Sequence, residues 1–297
     1  MTPDDIQYLS DFLKKRSGLV LTPDKSYLLE NRLRPLVRQH GVADIEELIV
    51  KLRSGVIKEL EREIVEAMTT NESFFFRDIR PFDNFRDKIL PRLLESRATR
   101  RKIRVWCAAA STGQEPYSLA MILGDATAKL GAWGSVEILA TDLDTDVLNR
   151  ARSGVYTQFE VQRGLPVQYL VKYFEKDGDK WRINETIRSM VTYREHNLLE
   201  SPAKLGQFDV VFCRNVLIYF DNETKASVLE GISKLLPVDG VLFLGGAETV
   251  LGVSDCFKPV PDLRGIYELN NGATVPAFVA AKPAPPAAAA IQKASSG

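Results

Sequence analysis

Three groups of residues in this chain of 297 have types and spacing that chemistry could use. The first is Ile103-Arg104-Val105-Trp106-Cys107-Ala108-Ala109-Ala110-Ser111-Thr112-Gly113-Gln114-Glu115-Pro116, answered about one βαβ unit later by Ala140-Thr141-Asp142. An apolar strand runs into small residues that let a ligand approach the backbone. A helix then starts at Pro116, where the missing N–H costs nothing. The next apolar strand, Val136 to Ala140, ends by presenting Asp142. An acid at that place in a parallel sheet accepts hydrogen bonds from ribose hydroxyls.

The second group is Thr69-Thr70-Asn71-Glu72-Ser73-Phe74-Phe75-Phe76-Arg77-Asp78, where polar groups flank three aromatics in a pattern that fits neither a helix nor a strand period. Asn71 and Ser73 can hydrogen-bond a ligand, and Arg77 can hold an anion through its planar fork. Equally, the segment reads as an interdomain connector whose aromatics fill a crevice. The third group is Asp209-Val210-Val211-Phe212-Cys213-Arg214-Asn215-Val216-Leu217-Ile218-Tyr219-Phe220. A buried strand ends there and offers Arg214, Asn215 and Tyr219 at the sheet edge where ligands bind, or simply closes in a loop around a satisfied tyrosine.

What the first loop lacks narrows the ligand. A dinucleotide site needs Gly-x-Gly-x-x-Gly so that a pyrophosphate can reach the helix N-terminus, but Gly113 is the loop's only glycine and Glu115 stands at the helix start. A carboxylate repels pyrophosphate and can receive an amino group. S-adenosylmethionine has that amino group and no phosphate. The alternative is an ordinary strand-to-helix turn with a surface Glu favoured by the helix dipole.

Stepping outward to what must hold these residues, the first part of the chain reads as a small helical domain over 1–70. Thr2-Pro3-Asp4-Asp5 starts one helix and Ser17-Gly18 ends it; Thr22-Pro23-Asp24 starts a second that runs to Gly41. Asp44 to Arg53 and Val56 to Met68 give two more. A linker and connecting helix, Pro81 to about Arg97, occupy 71–100. From 101 to 270, strands and helices alternate, which predicts a mainly parallel sheet covered on both faces, with Gly265 to Leu269 as a last edge strand. An inserted β-containing subdomain is expected at about 154–194: a helix near Pro166 to Phe174, then a hairpin from Lys180–Ile183 to Ser189–Tyr193 turning through Asn184-Glu185. The Ala/Pro-rich tail, 271–297, reads as disordered.

Composition sets outer limits. Lys plus Arg equals Asp plus Glu at 39 each, so no global field draws the chain to nucleic acid or anionic lipid. Cys107, Cys213 and Cys256 form no paired motif and the N-terminus lacks a signal-peptide core, which predicts a reducing cytoplasm. No apolar run approaches membrane-spanning length, and no metal site is expected.

Taken together, Asn71-Glu72-Ser73-Phe74-Phe75-Phe76-Arg77, Ala108 through Ser118, Ala140-Thr141-Asp142-Leu143-Asp144, His196-Asn197-Leu198 and Cys213 through Asp221 resemble the bacterial chemotaxis receptor methyltransferases, the CheR family. The resemblance extends from the N-terminal helices to about residue 270; Ser73 stands where the family often has Thr, which keeps a hydroxyl. It implies a class I S-adenosylmethionine-dependent methyltransferase fold, α/β and Rossmann-like, with a small N-terminal all-α domain and an inserted β-containing subdomain. It implies a cofactor site made by Asn71, Ser73, Arg77, Glu115, Asp142, Asn197, Leu198, Arg214 and Asn215, with Arg77 and Tyr219 facing the transferring methyl. The implied reaction makes methyl esters of glutamates on the cytoplasmic helices of chemoreceptors and releases S-adenosylhomocysteine. Basic residues of the N-terminal domain would then steer those helices, Arg34 and Arg38 above all, spaced four apart on one face. In the family the inserted subdomain can dock a C-terminal receptor peptide tether. Val161 to Pro166 here resembles the members that do without it, so direct receptor binding is expected. The competing readings are a cofactor-binding sensor or scaffold without turnover, and a nicotinamide-dependent dehydrogenase.

Overall fold

The computed structural model describes residues 1–22, 25–130 and 134–270, apart from the side chains of 127–130. Four helices open the chain: α1 (Pro3–Ser17), α2 (Tyr27–Gln39), α3 (Ile45–Ser54) and α4 (Leu60–Met68). Thr2 and Asp5 form a reciprocal capping box at the start of α1, and Gly18, with a left-handed backbone, closes it. Asp44 caps α3 through the Glu47 N–H. α4 begins four residues later than the sequence pattern suggests, at Leu60. Part of the start signal for α2 lies outside the described residues. Leu9, Leu13, Leu29, Leu33, Leu48, Ile64 and Met68 build a core for these helices. Burying each such side chain contributes roughly 1.5–3 kcal/mol before chain entropy is subtracted.

The connecting helix is interrupted. α5 (Arg80–Asn84) passes through a π turn at Phe85–Ile89 into α6 (Leu90–Ser96), and the Leu90 N–H bonds the Phe85 carbonyl. The π turn lies immediately ahead of Pro91, whose ring would collide with the carbonyl four residues back in a regular helix.

The main sheet follows the expected alternation. Its strands β1 (Lys102–Ala108), β2 (Ser135–Asp142), β6 (Val191–Glu195), β7 (Val210–Cys213), β8 (Val241–Leu244), β9 (Phe257–Pro259) and β10 (Ile266–Leu269) lie in the order β6-β2-β1-β7-β8-β10-β9. β6, β2, β1, β7 and β8 are parallel, whereas β10 is antiparallel to β8 and β9. The crossover helices are α7 (Gln114–Leu130), α8 (Thr145–Ser153) and α12 (Asn222–Ser233). Successive residues along these strands face opposite cores: Val105, Cys107, Val210, Phe212 and Phe243 join one, and Trp106, Ala108, Val211, Cys213 and Leu242 the other. The sheet is thus covered on both faces, and because β2 and β7 flank β1, its ligand-binding crevice opens beyond the carboxyl end of β1.

Two sequence expectations need correction. Residues 266–269 do form a strand, but β9 is the edge and β10 lies inside it. Lys180–Ile183 is a strand, β5, but its hairpin partner is β4 (Phe174–Asp177), and β3 (Val155–Thr157) completes a separate antiparallel sheet in the order β3-β5-β4. The turn is made at Gly178, where φ is +62°, not at Asn184-Glu185. Asn184 instead caps the short helix α11 (Glu185–Arg188) through the Ile187 N–H, and Val191–Glu195 runs parallel to β2 in the main sheet. The inserted elements therefore end before Val191. They include α9 (Gln158–Gln162) and α10 (Val167–Tyr173). The Ala/Pro-rich tail lies outside the described residues.

Candidate active site

A cleft opens beyond the carboxyl ends of β1, β2, β6 and β7, and the N-terminal helices supply part of its wall. Ser17, Leu19, Val65, Thr69 and Thr70 line it from that side; Ala109, Ser111, Asp142, Leu143, His196, Val216 and Phe220 line it from the sheet. Every residue expected to bind the cofactor or face the methyl lines this one cleft: Asn71, Ser73, Arg77, Glu115, Asp142, Asn197, Leu198, Arg214, Asn215 and Tyr219. Arg34 and Arg38 do not. They are exposed on α2 beside a separate hollow with Met1, Glu30 and Val42.

The strand ends are built under strain. Phe76, Asp78, Ile79, Ala109, Ser111 and Asn215 all have positive φ, a conformation that costs a non-glycine residue about 1–3 kcal/mol and collects at functional sites. Specific bonds hold them there. The Ala109 and Ala110 N–H groups bond the Thr141 carbonyl at 2.9 and 2.8 Å, and the Ser118 hydroxyl accepts from the Phe76 N–H at 3.0 Å. Gly113, which the sequence suggests as a ligand approach, is instead closed by the chain's own side chains: an added Cβ would lie 2.8 Å from the Tyr193 hydroxyl and 2.9 Å from the Ala151 Cβ. Ala109 and Ser111 are the loop residues that reach the cleft.

Asp142 is buried, and its two oxygens accept the backbone N–H groups of Ser111 (2.8 Å) and Asp144 (3.0 Å). Burial raises its pKa, and those N–H bonds oppose the rise. Glu115 is also buried, its carboxylate bonded to the Arg214 guanidinium at 2.7 Å; burial pushes its pKa up and the Arg214 charge draws it back. Arg214 also donates to Asp78 (2.8 Å) and to the Arg77 carbonyl (3.0 Å). It ties the Asn71–Asp78 segment to the end of β7.

Arg77 differs. Its Nη1 donates to the Glu72 carbonyl at 2.9 Å and its guanidinium lies 5.6 Å from the Phe74 ring centre, but among the described residues no carboxylate comes within ion-pair distance. Its planar fork has the geometry to take a carboxylate through two parallel bonds. The aromatics of this segment face the other way: Phe75 packs edge-on to Tyr156 (5.0 Å) and Phe174 (5.7 Å), and Phe76 stacks on Tyr169 (5.1 Å). The segment thus anchors through Phe75 and Phe76 on one side and lines the cleft with Asn71, Ser73 and Arg77 on the other.

Two expected ligand-binding amides already have protein partners. Asn71 Nδ2 donates to Asp144 (2.7 Å), the N-cap of α8, and Asn197 Nδ2 donates to the Arg16 carbonyl (2.7 Å) at the end of α1. Around them the N-terminal domain is fastened to the site: the Val20 N–H bonds the Tyr219 carbonyl at 2.9 Å, and Lys14 pairs with Asp221 at 2.6 Å. Arg32 donates to the Met68 and Thr69 carbonyls and to the Thr70 hydroxyl, which removes it from any docking surface.

One residue escaped the sequence reading. Glu248, buried beyond β8, accepts four backbone N–H groups: Asn215 (2.7 Å) and Gly245 (2.6 Å) on Oε2, Val216 (2.9 Å) and Ile218 (3.3 Å) on Oε1. It shapes the loop that carries Asn215, Val216 and Tyr219 into the cleft.

The cleft suits an adenosine bearing an amino-acid tail. Asp142 presents a carboxylate to the cleft, Leu143, Leu198, Val216 and Phe220 give apolar walls for a flat base, and Glu115 is an acid at the far side of the β1 loop. Comparison with known proteins points the same way. Residues 71–266 match the family model described as the CheR methyltransferase, SAM binding domain, and residues 4–69 match the CheR methyltransferase, all-alpha domain. The chain is 41% identical over 275 residues to the chemotaxis protein methyltransferase of Vibrio parahaemolyticus, covering 91% of this chain and 99% of the relative. It is 40% identical over 267 residues to chemotaxis protein methyltransferase 1 of Pseudomonas aeruginosa, covering 88% and 96%. Against the chemotaxis protein methyltransferase of Escherichia coli it is 36% identical over 273 residues, covering 89% and 90%.

Proposed function

We infer the function of this chain from the family to which it belongs, the CheR methyltransferases: it transfers the methyl group of S-adenosylmethionine to glutamate side chains of bacterial chemoreceptors, adjusting their signalling in the cytoplasm. The observation that supports the reading at residue level is that the ten residues implied by the family resemblance line one cleft, with Arg77 lacking a carboxylate partner among the described residues.

When bound, the cofactor supplies a methyl group activated on a sulfonium. Asp142 holds the ribose hydroxyls, Glu115 receives the amino group, and Leu198 and the Asn197 backbone border the adenine. Asn71, Ser73, Arg214 and Asn215 complete the walls. Arg214, already committed to Glu115 and Asp78, keeps that acid in place. A glutamate carboxylate is ionised at neutral pH and is itself the nucleophile, so the protein needs no general base to create it. Its task is alignment and exclusion of water. Arg77 orients the incoming carboxylate, and Tyr219 positions it.

Methylation helices of the receptor dock directly on the N-terminal domain through Arg34 and Arg38. Arg34 and Arg38 are exposed on α2, whereas Lys14 pairs with Asp221, Arg16 with Glu61, and Arg32 holds the Met68–Thr70 backbone. Arg34 has only a 3.9 Å contact to Glu30. Direct docking does not require a receptor tether.

The test is transfer of labelled methyl from S-adenosylmethionine to membranes carrying chemoreceptors, followed by alkaline release of methanol. Base-labile label is expected. Cofactor binding without label across a receptor panel would support a sensor module in its place.

A further inference from the structure

We propose that Glu248 is a positioning residue for the cofactor site: its buried carboxylate gathers four backbone N–H groups and thereby presets the Arg214–Tyr219 loop before any ligand arrives. The proposal rests on the reading of the cleft as the S-adenosylmethionine site.

Three observations carry it. The donors come from two segments far apart in sequence, Asn215, Val216 and Ile218 after β7 and Gly245 after β8, so the carboxylate clasps the ends of two adjacent strands. Asn215 takes a left-handed backbone at φ +59°, which Asn adopts more readily than most residues, and Asn215, Val216 and Tyr219 all line the cleft. The fit admits no spare atom: a Cβ on Gly245 would lie 2.7 Å from Glu248 Oε2 and 2.9 Å from the Asn215 nitrogen.

The requirement is chemical as well as steric. Each carboxylate oxygen takes two N–H donors, and only an ionised carboxylate presents four acceptor sites in that shape. In a glutamine of the same size, one oxygen becomes an NH₂ group that meets two backbone donors head-on. Glu248 touches no reacting atom, so its effect must pass through the loop to cofactor affinity.

The test uses Glu248→Gln in the full chain, with affinity for S-adenosylhomocysteine measured by calorimetry well below the variant's melting temperature. A rise in Kd of tenfold or more is expected. A lower melting temperature with Kd within twofold of wild type would make Glu248 merely structural and overturn the proposal. Val250→Ala, which removes buried apolar volume two residues along without touching the carboxylate, separates the two effects. It should lower the melting temperature and leave Kd within twofold; an equal loss of affinity would also overturn the proposal. Should Glu248→Gln fail to fold, amide exchange in the wild-type protein without ligand decides: the Asn215, Val216 and Gly245 N–H groups should be protected, and exchange at free-loop rates would refute the preset loop. If wild type fails to bind S-adenosylhomocysteine, the cofactor reading fails, while the exchange experiment still tests the clasp.

Discussion

Replacing Arg77 with alanine separates orientation of the substrate carboxylate from binding of the cofactor. Among the described residues the side chain donates to the Glu72 carbonyl at 2.9 Å and lies 5.6 Å from the Phe74 ring. Neither anchors the fold, because Phe75 and Phe76 fix this segment through their own packing and Arg214 holds Asp78. Truncation therefore removes mainly the guanidinium's contact with the incoming carboxylate. A hydrogen bond between two charged groups contributes about 2 kcal/mol or a little more, which corresponds to roughly a 30-fold loss of turnover and up to about 150-fold at 3 kcal/mol. Arg77→Lys keeps the charge but not the planar fork and should recover about half of that free energy. The assay is labelled-methyl transfer to receptor membranes with cofactor saturating, paired with calorimetry of S-adenosylhomocysteine binding. The expected pattern is a fall in turnover larger than the fall in cofactor affinity. Normal turnover in Arg77→Ala would refute the assignment, and a loss wholly accounted for by cofactor affinity would move Arg77 from the substrate to the cofactor.

Reversing both exposed arginines, in Arg34→Glu with Arg38→Glu, should weaken receptor methylation at least tenfold at low salt while leaving S-adenosylhomocysteine affinity unchanged; unaltered receptor activity would count against docking there. Glu115 and Asp142 both have pKa values raised by burial, so cofactor affinity should begin to fall at a pH above the ordinary carboxylate range as the two acids protonate. At Glu115 the sign for stability is opposite: the folded state binds this proton more readily than the unfolded chain does, so acidification through that window favours folding at this residue. Glu115→Gln should bind more weakly at neutral pH and with a shallower pH dependence, and parallel wild-type and variant profiles would contradict the role given to Glu115. Ala109 has φ +111°. Ala109→Gly should therefore stabilise the protein by about 1 kcal/mol after the added chain entropy is subtracted, a rise of roughly 2 °C in melting temperature; a lower melting temperature would show that the Ala109 methyl contributes more than its backbone costs.

Much of this site was legible because strand ends carry local signals. The apolar run before Ala108-Ala109-Ala110 and the acid after Val136–Ala140 are short-range patterns, and parallel pairing brings their ends together. Helical spacing sets Arg34 and Arg38 on one face of α2 apart from Arg32, which bonds the Met68 and Thr69 carbonyls and the Thr70 hydroxyl. The hairpin lies elsewhere because Asn184-Glu185, which looks like a turn, caps α11, while Gly178-Asp179 joins the paired Asp177 and Lys180. Glu248 left no trace, since a carboxylate that gathers backbone donors from another strand has no periodicity and no local partner. Nor did the sequence show that Asn71 and Asn197 bind protein atoms, because those bonds join residues 73 and 181 positions apart.

The fastening of α1 to the far wall bears on how freely these enzymes can exchange parts. Arg16 and Val20 bond Asn197 and Tyr219 through their backbones, and an added side chain at Gly18 would crowd Phe220 and Leu199 at 3.0 to 3.1 Å. A chimaera that grafts residues 1–70 from a relative with a different receptor preference thus also replaces part of its own active-site wall. Its success depends on the match between 16–20 and 197–220 more than on the sequence at the junction, and a library recombined at residue 70 should yield active members chiefly where both stretches descend from one parent.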